Sequence, residues 1–240
     1  AKNTGHKTYA KIQVNNSWEC SLVPMIPVFD LVYEHLQNLK DVGVSDYQLS
    51  WTLGGYPSIT LDLVKCFSQG VSLDEWYKMQ FNENAQKVHN AISLLCDSFR
   101  NYPFSVDVLY FSPKNMSYAN MWQLDAEQKQ SSMVGYSFDD YEKWIKPYSL
   151  KTYLKCFKTL LSGWKKGLDI LEGMTADKKI SKLYTYAKAV YVIFESDYNQ
   201  TLFSFYKRDI QNNKQNLLDV IDSSIKGVYQ LIELQKQDAT

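Results

Sequence analysis

The chain has 240 residues, of which 45% are apolar and 15% aromatic, so it can bury a sizeable core and is not a disordered segment. Its 26 basic and 26 acidic residues cancel without long runs of either charge, which excludes nucleic acid as an expected partner. No stretch approaches the roughly 20 apolar residues that span a bilayer, and the N-terminus lacks the apolar centre of a signal peptide. These features favour a cytoplasmic protein without a membrane partner, although a removed leader stays open because Ala1 is not preceded by Met.

Two strand-like segments flank a predicted helix near the start of the chain. Residues 8–15 are rich in strand-forming side chains, and residues 46–53 form a second such run. Between them, apolar residues recur at helical spacing over residues 28–39, and Gly43 stands where a helix would end. Two strands joined by a crossover helix lie parallel, so this segment predicts a βαβ unit.

From residue 72 onward the apolar residues follow a helical period. Ser72 and Glu75 form a capping-box signature ahead of an apolar stripe that predicts one long helix to Phe99. Residues 104–137 are aromatic and punctuated, and we expect them to be mostly irregular. A short helix should follow Ser137. Three long helices are then predicted around residues 150–171, 180–194 and 217–232.

The expected fold class is mainly α, with a short parallel βαβ segment followed by a helical bundle. Two parallel strands are marginal by themselves, because a parallel pair normally belongs to a larger sheet covered by helices. We therefore interpret residues 1–71 as the C-terminal βα units of a (β/α)₈ barrel whose earlier strands precede Ala1. Residues 72–240 would form a helical C-terminal domain.

Candidate binding residues cluster at the predicted carboxyl ends of the two strands. Neighbouring parallel strands end on the same edge of a sheet, and in a barrel this edge holds the active site. A carboxylate, an amide and three aromatic side chains there would suit a sugar, whose C–H surface stacks on aromatic rings while its hydroxyls bond polar groups. The predicted pocket consists of Asn16, Trp18, Glu19, Trp51 and Tyr56.

Five phrases of the sequence extend this interpretation over nearly all of the chain: KIQVNNSWECSLVPMIPV, LSWTLGGYPS, YANMW, GYSFDDYEKW and LLSGWKKGLDIL. Together they resemble the C-terminal part of uncharacterised bacterial proteins related to glycoside hydrolases, which carry a helical domain after a (β/α)₈ barrel. In many retaining glycosidases on such barrels the nucleophile is a Glu at the end of the seventh strand, and the resemblance implies that Glu19 takes this position. Glu19 lies several residues beyond the predicted strand, and no residue matches the partner acid expected near the fourth strand.

Three hypotheses about function follow. The first is a C-terminal fragment of a glycoside hydrolase, inactive without the upstream part of the same polypeptide because hydrolysis of a carbohydrate needs two carboxylates. The second is a non-catalytic helical module that binds carbohydrate or protein through the aromatic residues of segment 104–144. The third is a structural domain that covers the barrel or mediates homo-oligomerisation. No cofactor is expected, and the three histidines lack the spacing of a metal site.

Overall fold

A computed structural model describes residues 5–16, 18–44, 46–50, 55–113, 122, 124 and 141–238. Strand β1 (Tyr9–Lys11) and strand β2 (Asp46–Gln48) pair in parallel, with Ala10 opposite Tyr47, and helix α1 (Phe29–Asp41) connects them. This arrangement confirms the predicted parallel βαβ unit. The strands have three residues each and are shorter than the predicted runs.

The other regular elements of the described chain are helices, which confirms the mainly α class. The further α-helices are α2 (Ile59–Ser68), α3 (Leu73–Phe81), α4 (Ala85–Phe99), α5 (Val106–Phe111), α6 (Tyr141–Trp144), α7 (Leu150–Glu172), α8 (Lys178–Tyr206) and α9 (Ile210–Asp238). Helix α9 is kinked at Asn213. Within the described ranges, no helix combines the length and the apolar character needed to cross a bilayer.

The long helix predicted between residue 72 and Phe99 is in fact two helices. The capping box is present, because the Ser72 hydroxyl accepts a hydrogen bond from the Glu75 N–H and the Glu75 carboxylate accepts one from the Ser72 N–H. The backbone leaves the helical conformation at Asn82, whose φ is 46°, and a 3-10 turn leads into α4. Helices α3 and α4 both pack into one core, so the helical spacing of apolar residues continues across Asn82. The break between the two helices is therefore not visible in the apolar pattern of the sequence.

Two helices lie where none was predicted. Helix α2 begins after Ser58, whose hydroxyl accepts a hydrogen bond from the Leu61 N–H as an N-cap. Helix α5 lies in the segment that we expected to be irregular, and Ser105 caps it by accepting a hydrogen bond from the Val108 N–H. Both helices are short, so their sequences hold too few turns for a periodic apolar stripe to stand out.

One hydrophobic core extends from Ile12, after β1, to Phe194 in α8. Its fully buried side chains include Trp76 of α3, Trp144 of α6 and Trp164 of α7. The core therefore contains residues from both sides of residue 72, and the two ranges of the chain pack against each other. The division into a barrel part and a helical domain stays a prediction.

The small sheet packs on the core through one face. Ala10 of β1 and Tyr47 of β2 are half-buried against the core, whereas the other residues of both strands are exposed and Tyr9 is 74% accessible. Parallel sheets are normally covered on both faces. This sheet therefore has one uncovered face. In larger parallel sheets helices cover such a face.

Replacing Gly167 by alanine should destabilise the contact between α4 and α7. A Cβ atom at Gly167 would lie 2.7 Å from the Ala91 carbonyl oxygen and 2.6 Å from Leu95 Cδ2, so the helices would have to move apart. Overpacking of this kind costs about 1–3 kcal/mol, which exceeds the gain of up to about 1 kcal/mol from the better helix propensity of alanine. Urea unfolding measures the difference.

Gly173→Ala is the matched control, because its Cβ would meet its nearest neighbour, the Ile170 carbonyl oxygen, at an ordinary 3.6 Å. We expect this variant to keep the stability of the parent chain. Equal unfolding free energies for the two alanine variants would contradict the close approach of α4 and α7 at Gly167.

Candidate functional site

A pocket of about 360 Å³ lies where the chain leaves β1. Its walls are the segment after β1, one side of α1 and the side chain of Phe104. Asn16, Trp18 and Glu19 all line it, so the structure brings three of the five predicted site residues into one cavity.

A turn in the backbone directs these residues into the pocket. Asn16 has a φ of 54°, in the left-handed region that asparagine tolerates better than most residues. The Asn16 N–H donates to the Gln13 carbonyl at 3.4 Å, and the Cys20 N–H donates to the Asn16 carbonyl at 3.3 Å. Trp18 and Glu19 line the same pocket as residues of α1.

Glu19 is a nearly buried member of this pocket. Glu19 is only 8% exposed, and its Oε2 atom is buried. Burial, and then the negative charge of Glu19 and of Asp197 in α8, raise the pKa of Tyr102 well above the ordinary value for tyrosine. The buried Tyr102 phenol therefore stays protonated close to Glu19, in surroundings where charge interactions are stronger than in water.

Aromatic side chains form the outer part of the site. The Trp18 ring packs on the Tyr110 ring of α5 at a centroid distance of 5.6 Å, and Trp18 remains half-buried. Phe104 lines the same pocket and is exposed. The site thus combines a buried carboxylate with aromatic surface that a ligand can reach.

Tyr56 lies in a different pocket. Its hydroxyl is hydrogen-bonded to the Tyr186 hydroxyl of α8 at 2.9 Å, and both side chains line a cavity of about 220 Å³ beside α8. The structure therefore separates Tyr56 from the cavity that Glu19 lines.

Asn15 connects the segment after β1 to the segment that precedes α2, and sequence analysis gave it no role. Its side-chain amide donates to the Tyr56 carbonyl at 3.0 Å, and its Oδ1 atom accepts a hydrogen bond from the Ser58 hydroxyl at 2.6 Å. The residue is fully buried. Two consecutive asparagines at the end of the predicted strand were the only signal in the sequence for this junction.

His35 and Gln13 are further pocket residues that sequence analysis did not select. His35 lies on the exposed side of α1, and only the packing of α1 beside the segment after β1 brings it to the pocket. Because His35 is far from Glu19 along the chain, no sequence pattern around either residue indicates that both line one pocket.

Two predictions concern residues outside the described ranges. Trp51 is one of them, so its place relative to Glu19 stays a prediction. The aromatic binding face expected over residues 104–144 is described only at residues 104–113, 122, 124 and 141–144. Within it, the Trp122 ring packs on Phe203 of α8 at a centroid distance of 4.9 Å.

In comparisons with known proteins, no family model, curated protein or solved structure matches this chain. Inferences about function therefore depend on the chemistry of the pocket. Among the described residues that line it, Glu19 is the only carboxylate. The same described part of the chain holds no cluster of three or more metal-binding side chains. These residues can bind a polar ring compound and supply one of the two carboxyl groups that glycoside hydrolysis requires.

Proposed function

We propose that this chain is the C-terminal part of a protein related to glycoside hydrolases and that the pocket after β1 binds a sugar. The pocket itself carries the proposal, since Glu19, Trp18 and Asn16 line one cavity of about 360 Å³. A binding site of this class combines apolar and aromatic walls with a few polar groups that fix the orientation of the ligand. Trp18 and Phe104 would stack on the ring, while Asn16 and Glu19 would bond its hydroxyls.

The uncovered face of the β1–β2 sheet supports the same proposal. In a (β/α)₈ barrel each strand has two neighbours, and its inward side chains pack against those of other strands. Here β1 and β2 pair with each other among the described residues, and Tyr9 projects from the uncovered face. We propose that the upstream part of the polypeptide supplies the missing strands and the second carboxylate, about 5–10 Å from Glu19.

Sugar binding by this chain tests the proposal directly. Glycans that give a signal on an array are titrated into the chain and followed by NMR chemical shifts. Trp18→Ala should weaken binding at least tenfold, because it removes the aromatic wall of the pocket. Tyr56→Phe is the control, since its hydroxyl contacts Tyr186 in the separate pocket, and it should leave the affinity unchanged.

Equal losses in the two variants would exclude the pocket after β1 as the binding site. If neither this chain nor the full-length protein binds any glycan, the carbohydrate proposal fails. Binding by a full-length protein that hydrolyses no glycoside would instead support the non-catalytic binding module.

A further inference from the structure

The cavity of about 220 Å³ beside α8, which Tyr56 and Tyr186 line, also borders two lysines of that helix, Lys179 and Lys182. Among the described residues that line this cavity, none carries a carboxylate. Pockets for drug-sized ligands have volumes of about 300–1,000 Å³, so this cavity fits a smaller molecule. The charge of its lining favours a ligand that is negatively charged.

Lys179 is held at the cavity by uncharged partners. Its Nζ atom donates hydrogen bonds to the Gln80 carbonyl oxygen at 3.1 Å and to Gln80 Oε1 at 2.7 Å, and it lies 5.7 Å from the centre of the Phe81 ring. An ammonium group has three N–H donors, so one remains for a ligand. Because the Gln80 oxygens are neutral, they orient the ammonium group of Lys179 without cancelling its charge.

Lys182 adds a second ammonium group one turn further along α8. It is exposed, and its Nζ atom lies 5.7 Å from the centre of the Tyr186 ring. Within the described part of the chain, neither Lys182 nor Lys179 forms an ion pair. Residues three positions apart are neighbours on a helix, and like charges there repel each other, here near the positive end of the helix dipole. A bound anion would relieve this repulsion.

The other walls of the cavity are mostly apolar. Met25, Ile59 and Leu183 contribute apolar side chains. The rings of Tyr56 and Tyr186 are perpendicular to each other at a centroid distance of 6.4 Å, and their hydroxyl groups are hydrogen-bonded to each other at 2.9 Å. These walls offer surface for an uncharged organic group next to the two ammonium groups.

We propose that the cavity beside α8 binds a small phosphate ester, with its phosphate group held by Lys179 and Lys182 and its organic group against the apolar walls. A phosphate monoester carries a charge of about −1.5 to −2 at pH 7 and has three acceptor oxygens, so it matches two ammonium groups better than a carboxylate does. Lysine binds phosphate as a point charge. This proposal is independent of the sugar pocket after β1, because no described residue lines both cavities.

Titration of the chain with phenyl phosphate, followed by NMR chemical shifts, tests the site. Lys182→Gln should weaken binding at least about tenfold, because it removes one of the two charged donors to the phosphate group. Lys178→Gln is the matched control, since it removes the same charge from the start of α8 at an exposed position that does not line the cavity. It should change the affinity less than about threefold. Without ligand, Lys182→Gln should keep or raise the unfolding midpoint, because it removes a like-charge repulsion.

A comparison of anions tests the assignment to phosphate. Benzoate, which carries a single negative charge on the same ring, should bind at least about tenfold more weakly than phenyl phosphate, and inorganic phosphate should compete with phenyl phosphate. Equal losses in Lys182→Gln and Lys178→Gln would mean that the charge of the helix end, rather than the cavity, attracts the anion, and would overturn the proposal. A parent chain that binds no phenyl phosphate at about 10 mM would overturn it as well. Benzoate binding as tight as that of phenyl phosphate would exclude a phosphate site.

Discussion

Under the proposed hydrolase function, Glu19→Gln in the protein that includes the upstream strands should lower the hydrolysis of aryl glycosides by at least about 10²–10⁴-fold, the usual contribution of a positioned acid–base group. The amide has nearly the shape of the carboxyl group. It can neither act as an acid or base near neutral pH nor attack the anomeric carbon of the sugar. Glu19 lines the pocket after β1 and is nearly buried there, so its charge acts in a setting of reduced screening. Release of the aryl group, followed by absorbance across a panel of glycosides, measures the effect.

Glu34→Gln is the matched control for this experiment. Glu34 lies on the exposed side of α1, where its carboxylate pairs with Arg100, and it does not line the pocket. Its variant should keep the parent activity. Circular dichroism of both variants checks that the fold is intact. Undiminished hydrolysis by a folded Glu19→Gln variant would remove Glu19 from the mechanism and leave it, at most, a role in binding.

Asp197→Ala should lower the free energy of unfolding by about 2–6 kcal/mol. Asp197 of α8 is fully buried and accepts hydrogen bonds from the Tyr153 hydroxyl of α7 at 2.8 Å and from the Ser112 hydroxyl at 2.9 Å. Burial, and then the negative charge of Asp197, raise the pKa of Tyr153 well above its ordinary value, so the phenol is a protonated donor. Each buried hydroxyl that loses its acceptor costs about 1–3 kcal/mol.

Unfolding in urea at neutral pH measures this loss. Asp169→Ala is the control, because Asp169 is exposed on α7 and pairs only at the surface with Lys165; we expect a change within about 0.5 kcal/mol. Asp197→Asn keeps an acceptor oxygen and should fall between the two. If Asp197→Ala unfolds at the same urea concentration as Asp169→Ala, the buried network does not contribute to stability as inferred.

Much of the fold was predictable because its signals are local. The stripe that predicts a helix over residues 150–171 is observed as α7 (Leu150–Glu172), since each buried residue of an amphipathic helix recurs at a fixed spacing. The parallel pairing of β1 and β2 followed from the connecting helix. The break at Asn82 was not predictable in this way, because a residue with positive φ interrupts the backbone without interrupting the apolar pattern.

The candidate site shows the same limit. Asn16, Trp18 and Glu19 are neighbours in the chain, so their common pocket follows from one turn after β1. Tyr56 follows the other strand, and its place depends on the hydrogen bond that its hydroxyl forms with Tyr186, a residue far along the chain in α8. No pattern within either segment encodes that contact.

The sequence by itself determined the mainly helical class, the parallel βαβ unit and the three neighbouring residues of the pocket, because each depends on spacing within a short segment. The tertiary structure alone decided which pocket Tyr56 lines, how Asp197 becomes a buried acceptor for Tyr153, and which face of α9 is buried. The buried or half-buried face includes Ser224 and Gly227, whereas Leu218, Ile225, Val228 and Ile232 are exposed although all of them are aliphatic. Which face is buried depends on how neighbouring helices pack, and that is a property of the whole core rather than of the helix.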